Sequence, residues 1–464
     1  MIEREMPFRA GAKVSVLGLG VSGTAAARLA ARREAEVYAS DAFAGVEQSA
    51  AAEALRTEGI DAEAGRHDMD RILASDLVVV SPGISPFSEV RQRISAAGIR
   101  TIAEVELAYG ALRSRVIGIT GTNGKTTTTQ LAADVLEASG TSAVAGGNIG
   151  RPLSWTAIED EQPDWVVVEL SSFQLADLES FRMDIGALLN LAPDHLDRYR
   201  DLQAYYADKQ RLFNAGGPET SWVLNADDES VLDLAAGAPG AGTYAFSIDH
   251  EVERGAWLAA DGMIRARLDS GTAEDWLPEA EFPLIGRHNV ANALAAGLVA
   301  RLAGCAADAV GPGLRQGRGL PHRLEEVGTY GDVLWVNDSK ATNVAASRAA
   351  VLSFDRPIIL LRGGRHKGEP YSSIAEAAED RLRAIVAFGE AAPRIVGELE
   401  HAAPRVSVEN GMEAAVRAAA RHAEPGDVVL FSPACSSFDM YPNYEVRGEA
   451  FTRAVRTLAA DDPT

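Results

Sequence analysis

Between an apolar run and an alanine-rich stretch the chain carries Ile117-Gly118-Ile-Thr-Gly121-Thr122-Asn123-Gly124-Lys125-Thr126-Thr127. Backbone N–H groups of such a loop can cradle phosphates, Lys125 can reach the outer phosphates, and a threonine hydroxyl can ligate Mg2+. The strict G-x4-G-K-[ST] spacing fails, because position 119 is isoleucine and the nearest glycines are 118 and 121. The segment therefore reads as a variant phosphate loop. Glu169 ends the strand-like run DWVVVE, and a buried strand that ends in an acid needs a partner, which a cation supplies. His195 in NLAPDHLDRY and Lys209 in AYYADKQRLF follow. Carbamylation would give Lys209 a carboxylate-like oxygen donor suited to hard Mg2+, a role closed to arginine. That distinction matters here. Of 44 basic residues only Lys13, Lys125, Lys209, Lys340 and Lys367 are lysine. A chain that uses arginine for its other cations marks those five positions as candidates for lysine's own chemistry.

A second constellation lies near the start. Gly18-Leu-Gly20-Val-Ser-Gly23 follows a strand-like run and opens a helix-like one, with Asp41 18 residues beyond Gly23. The glycines allow a diphosphate to approach a helix N-terminus, and Asp41 could reach a ribose hydroxyl. A nicotinamide dinucleotide site fits that spacing, and so does a turn that merely packs helix on strand.

The elements that must hold these residues alternate. KVSVLGLG, EVYASD, DLVVVSPGI, RVIGIT, DWVVVEL and DIGALLNLA read as strands, with a helix from about Lys125 to Ala138. Residues 244–286 are less regular and lead to a helix over 288–303. DVLWVND, RPIILLRGG, LRAIVAFG and DVVLFSP form a third alternation among alanine-rich helices. Strands alternating with helices imply parallel, doubly wound sheets. At ~150 residues per domain the length implies about three. The expected fold class is α/β with domains over 1–112, 113–319 and 320–464: a Rossmann-like first domain, a phosphate-loop ATPase-type centre and a Rossmann-like last domain.

Lys+Arg 44 against Asp+Glu 66 gives a net charge of −22, which argues against nucleic acid or an anionic membrane surface as partner. No apolar run approaches the ~18–20 residues of a membrane helix, and MIEREMPFRA lacks a signal peptide's apolar stretch. Two cysteines, Cys305 and Cys435, make no disulfide framework, so a reducing cytoplasm is expected.

With these residues in view the chain resembles the Mur ligases, ATP-dependent amino acid ligases of bacterial peptidoglycan synthesis. GITGTNGKTT, VELSSFQL, NLAPDHLDRY, the lysine of YYADKQRLF, GRHNVANALAA, GLPHRLE and NDSKATN occur in the family's order over nearly the full length. GGRHKG, SPACSSFDMY, GLGVSG and SPGI are most similar to the branch that adds D-glutamate. The resemblance implies UDP-N-acetylmuramoyl-L-alanine and D-glutamate as substrates, ATP and two Mg2+ ions as cofactors, and a monomer. Gly18, Gly20 and Gly23 would face the nucleotide-sugar diphosphate, with Asp41 and Ser81-Pro82-Gly83 near the uridine. The run after Asp41 departs from the acid-Thr-Arg pattern of some members. Gly121, Thr122, Asn123, Gly124, Lys125, Thr126 and Thr127 would hold the ATP phosphates. Thr126 and Glu169 would bind one Mg2+, and Glu169, His195 and carbamylated Lys209 the other. Asn148 would contact the substrate near its reacting carboxylate, and Asn289 and Asn292 the adenine side of ATP. Arg323 and Asp338 would reach the γ-phosphate and the ribose. Lys340, Thr342, Lys367, Ser437 and Phe438 would build the amino acid pocket, with the Tyr444 ring beside it or simply in the core.

Overall fold

Runs such as Leu77–Val80, apolar at every position, suit parallel sheets covered on both faces, and the computed structural model bears this out. It describes residues 4–148, 150–194, 199–269 and 271–461. The first sheet has five parallel strands in the order Asp61–Ala64, Glu36–Asp41, Lys13–Leu17, Leu77–Val80, Thr101–Ala103. The strand order reverses beside Lys13–Leu17, which is where ligands bind in such sheets.

The second sheet has nine strands. Ala143–Gly147, Trp165–Glu169, Arg115–Thr120, Ile185–Leu188, Ser221–Asn225, Gly242–Ser247 and Gly255–Leu258 run parallel. Met263–Arg267 and Glu274–Pro278 then close the edge as an antiparallel meander. This rim falls within residues 244–286, the stretch whose sequence reads as less regular, with short alternating segments. Its strands alternate buried and part-exposed residues, as at Met263–Arg267, so no crossover helix is needed to cover them. The third sheet orders Glu325–Tyr330, Val333–Asn337, Val428–Phe431, Ile358–Gly363, Leu382–Phe388 and Val406–Glu409, parallel except for its first, antiparallel edge strand.

Three α/β domains thus stand on three sheets. By contacts the chain forms two compact units, Met1–Leu191 with Gln203–Glu281 and Asn292–Gln316, and Ala192–Leu202 with Phe282–Ala291 and Gly317–Thr464. Within the first unit one apolar cluster runs from Val14 and Leu29 to Val168, Phe181 and Trp222, so the first two sheets share a core. Buried carboxylates fix that junction. Glu106 accepts the backbone N–H groups of Glu179, Ser180 and Phe181, and Glu104 accepts that of Ser154. In the second unit the two faces of the third sheet carry separate cores, one around Ile358, Leu360 and Tyr371, the other around Ile359, Leu361 and Phe451.

Candidate active site

The strand Lys13–Leu17 leads into Gly18, whose φ of +94° excludes most side chains and whose added Cβ would lie 2.7 Å from Ser81 Oγ. A Cβ on Gly23 would fall 1.8 Å from the Gly18 carbonyl oxygen, so this glycine is demanded by helix–turn packing. At Gly20 nothing lies within 4 Å of such a Cβ, so the backbone there is open to a ligand. Gly83 is equally open. Asp41 takes a position the spacing did not suggest. One carboxylate oxygen accepts Leu19 N–H and the other Phe43 N–H, both at 2.9 Å. It therefore ties the loops after two neighbouring strands together. Ser81 Oγ, buried beneath the turn, has no hydrogen-bond partner among the described residues.

In the second sheet Arg115–Thr120 feeds the loop 121–124 and the helix Lys125–Ala138. Gly124 caps that helix at φ +81° with no side-chain cap, an arrangement in which first-turn N–H groups can receive an anion. A Cβ on Gly124 would meet Asn292 Oδ1 at 2.3 Å. Asn190 fastens the loop: its amide accepts Asn123 N–H at 2.8 Å and donates to Asn123 O at 3.0 Å. Lys125 Nζ donates to Gly121 O and Thr122 O at 2.9 and 2.8 Å. Lys209 is 1% exposed, and its Nζ donates to Thr120 Oγ1 at 2.9 Å and to the same Gly121 O at 2.8 Å. Two lysines distant in sequence thus converge on one loop carbonyl. Thr126 and Thr127 open the helix, and Thr122 Oγ1 meets Tyr205 Oη at 3.2 Å.

Glu169 ends its strand 1% exposed, with Oε1 accepting from Asn148 Nδ2 at 3.0 Å. Its Oε2 is buried without a hydrogen-bond partner among the described residues. An orphaned carboxylate oxygen beside a phosphate loop fits a hard divalent cation. Asn292 Oδ1 accepts from Thr128 Oγ1 at 3.2 Å, behind the loop. His195 lies outside the described residues.

The second unit carries most of its candidates on three loops, those after Val333–Asn337, Ile358–Gly363 and Val428–Phe431. Asp338 accepts from Ser432 Oγ at 2.8 Å and Leu324 N–H at 3.3 Å, and burial pushes its carboxyl up to about 7. Lys340 Nζ sits 3.7 Å from the centre of the Tyr444 ring, a cation–π contact that brings Tyr444 beside Lys340. Lys367 Nζ reaches Thr342 Oγ1 at 3.4 Å and Asp194 Oδ1 at 3.6 Å, while Asn343 Nδ2 donates to Asp194 Oδ2 at 3.1 Å. Burial and the facing Asp194 push Glu369 up to about 7. Ser437 is buried at 2% exposure, whereas Phe438 is 63% exposed. Asn289 Nδ2 donates to Ile285 O at 2.8 Å. Arg323 is flanked by two non-glycine residues at positive φ, His322 at 64° and Leu324 at 43°, strain of a kind that gathers at functional sites. Burial, with Arg323 adding to it, pulls the neighbouring His288 down to about 4.

Sequence reasoning missed Arg447. Fully buried at the start of the last helix, it donates to Ser339 O at 2.7 Å, Ser339 Oγ at 3.0 Å, Gly363 O at 3.3 Å and Cys435 O at 3.0 Å. One guanidinium thus clamps all three loops. Asp194 was also missed as a partner of Lys367, although it adjoins His195.

A phosphate loop on a parallel sheet, backed by a second lysine and a buried acid at the next strand's end, defines a nucleotide-dependent P-loop protein. The comparisons narrow this. The Mur ligase middle domain matches residues 119–300, the Mur ligase glutamate ligase domain residues 322–435, and the Mur ligase MurD-like N-terminal domain residues 12–103. The chain is 43% identical over 455 residues to the UDP-N-acetylmuramoylalanine–D-glutamate ligase of Salinibacter ruber, covering 96% of this chain and 98% of that one. It is 41% identical to the enzyme of the same name from Acidobacterium capsulatum, covering 95% of each. The chain belongs to the Mur ligase family. Among solved structures the fold is similar to a pseudomurein peptide ligase type C from Methanothermus fervidus, with a TM-score of 0.62 at 18% identity over 97% of this chain and 100% of that one. It is also similar to the MurF ligase of Thermotoga maritima in complex with ADP, with a TM-score of 0.60 at 18% identity over 99% and 98%.

Proposed function

We propose that this chain is an ATP-dependent ligase that joins D-glutamate to UDP-N-acetylmuramoyl-L-alanine, releasing ADP and phosphate, in cytoplasmic synthesis of the peptidoglycan precursor. The observation that carries the reading is identity of 43% and 41% over nearly the full length to enzymes of that name. Residues 1–112 would take the nucleotide sugar, 113–319 ATP, and 320–464 the amino acid. The enzyme would act as a monomer.

A carboxylate and an amine do not condense in water, because the carboxylate oxygen is a poor leaving group. In the proposed reaction a substrate carboxylate oxygen attacks the γ-phosphorus of ATP, ADP departs, and an acyl phosphate forms. The amine of D-glutamate, having lost its proton, attacks the acyl carbon, and phosphate leaves with the C–O electron pair. The first step brings two anions together. At ~4 Å and an effective dielectric constant of ~20, one unit-charge repulsion costs about 4 kcal/mol. Lys125 and the glycine-capped N-terminus of its helix supply positive potential for the phosphates, and Arg323 would add to it.

Thr126 and Glu169, with His195 and carbamylated Lys209, are the residues that would hold Mg2+, which when bound neutralises charge developing on the phosphates. Asn148, already bonded to Glu169, would orient the substrate beside that site. Asn289, Asn292 and Asp338 would contact the nucleoside of ATP. Gly18, Gly20, Gly23, Asp41, Ser81 and Gly83 would frame the nucleotide sugar, with the open backbone at Gly20 and Gly83 nearest to it. Lys340, Thr342, Lys367, Ser437 and Phe438 would receive D-glutamate, and Tyr444 joins them through Lys340.

The test is phosphate release from ATP with the nucleotide sugar and a panel of amino acids. Release that depends on D-glutamate supports the reading. Release driven by L-alanine instead would assign the chain to another branch of the family.

A further inference from the structure

The strand Ile358–Gly363 alternates Ile358, Leu360 and Arg362 toward one core of the third domain. Period-two alternation thus puts an arginine where a third apolar side chain belongs. Arg362 is 0% exposed, and Nε, Nη1 and Nη2 all lack a hydrogen-bond partner among the described residues. Its guanidinium lies 4.4 Å from the centre of the Tyr371 ring.

No group among the described residues balances that charge. The Tyr371 phenol and the Cys435 thiol, bonded to each other at 3.0 Å, are two of the titratable groups that act on it, and burial pushes both up, which keeps them neutral. The third neighbour is Glu398. Burial opposes its charge, yet the Tyr371 N–H at 2.7 Å and Arg394 Nε at 2.6 Å hold it below the ordinary carboxylate range. Its negative charge is therefore already shared with Arg394, and both its oxygens are engaged. Lysine in this position could shed its proton; arginine in a protein does not. A buried charge is tolerated only when paired, and every orphaned atom on the guanidinium is a donor.

We propose that Arg362 forms a buried site for a small monovalent anion of the halide class within the third domain. The planar fork offers two parallel N–H groups to one anion, and the Tyr371 ring covers its face. The site lies just before Gly363-Gly364, at the base of the loop that carries Lys367, and is independent of the proposed reaction.

The experiment uses the full chain and bromide as probe. Thermal unfolding is compared in potassium bromide and potassium gluconate at equal ionic strength, for the parent protein and Arg362→Met. The parent midpoint is expected to rise in bromide by ~2 °C or more, and that of Arg362→Met to show no such gain. No gain in the parent, or an equal gain in both, overturns the proposal. Crystals of the parent protein grown in bromide provide a second measurement that needs no variant. An anomalous peak within hydrogen-bonding distance of the Arg362 guanidinium supports the site, and water alone in that position overturns it.

Discussion

Lys209 is the residue at which side-chain identity matters most. A buried amine bonded to Thr120 and Gly121 stands under the phosphate loop, where arginine would supply charge but never a carbamate. Lys209→Arg is therefore expected to lower ligation by ~10²-fold or more, measured as D-glutamate-dependent phosphate release, while the protein stays folded by circular dichroism. Unchanged turnover would remove the carbamate from the account. The phosphate loop above Lys209 was legible in the sequence because it is local: strand, glycines, lysine and hydroxyls follow one another within a dozen positions, whereas Lys209 stood out only because lysine is rare in this chain. Arg447 was not legible. Its bonds reach Ser339 and Gly363, 108 and 84 residues away, and no local pattern announces such a partner. Asp194 stood in plain view beside His195, but its pairing with Lys367 needs the fold.

At the scale of elements, loops after parallel strands carry the chemistry, and buried polar groups hold them in place. Arg447→Met removes four donated bonds from the three loops of the third sheet. It is expected to cost about 3 kcal/mol of stability and to raise KM for D-glutamate more than KM for ATP. Denaturant unfolding and steady-state kinetics check this. Glu104 anchors the helix Leu153–Ile158 by accepting Ser154 N–H at 2.6 Å, and burial pushes its carboxyl up to about 7. The folded chain thus favours the protonated form. The stability this group contributes is complete below about pH 4.5 and is lost as pH rises toward 7, by about 3 kcal/mol in all. Glu104→Gln keeps an acceptor for Ser154, and its melting temperature is expected to lose that part of the decline over the same pH range. The parallel strands behind these elements were legible because both faces are buried, which writes Val, Ile and Leu at nearly every position. The antiparallel rim over 263–278 was not. Its short half-buried strands give only brief alternations, and nothing local says which neighbour they join.

For the whole molecule the charge of −22 bears on solvation more than on partners, since every proposed substrate is itself anionic. The sites must build positive potential locally, with Lys125 and a glycine-capped helix end on one sheet and Lys340, Lys367 and Arg447 on another. The first sheet's glycine turn also suits a dinucleotide, yet NADH is expected to show no micromolar binding by fluorescence titration, and such binding would reopen a redox role. In the proposed reaction the γ-phosphoryl group of ATP passes to the substrate carboxylate before the amide forms. Its most direct test labels that carboxylate of UDP-N-acetylmuramoyl-L-alanine with oxygen-18 and supplies ATP and D-glutamate. The released phosphate is expected to carry one labelled oxygen, and its release to require D-glutamate. Unlabelled phosphate accompanying amide product would contradict it.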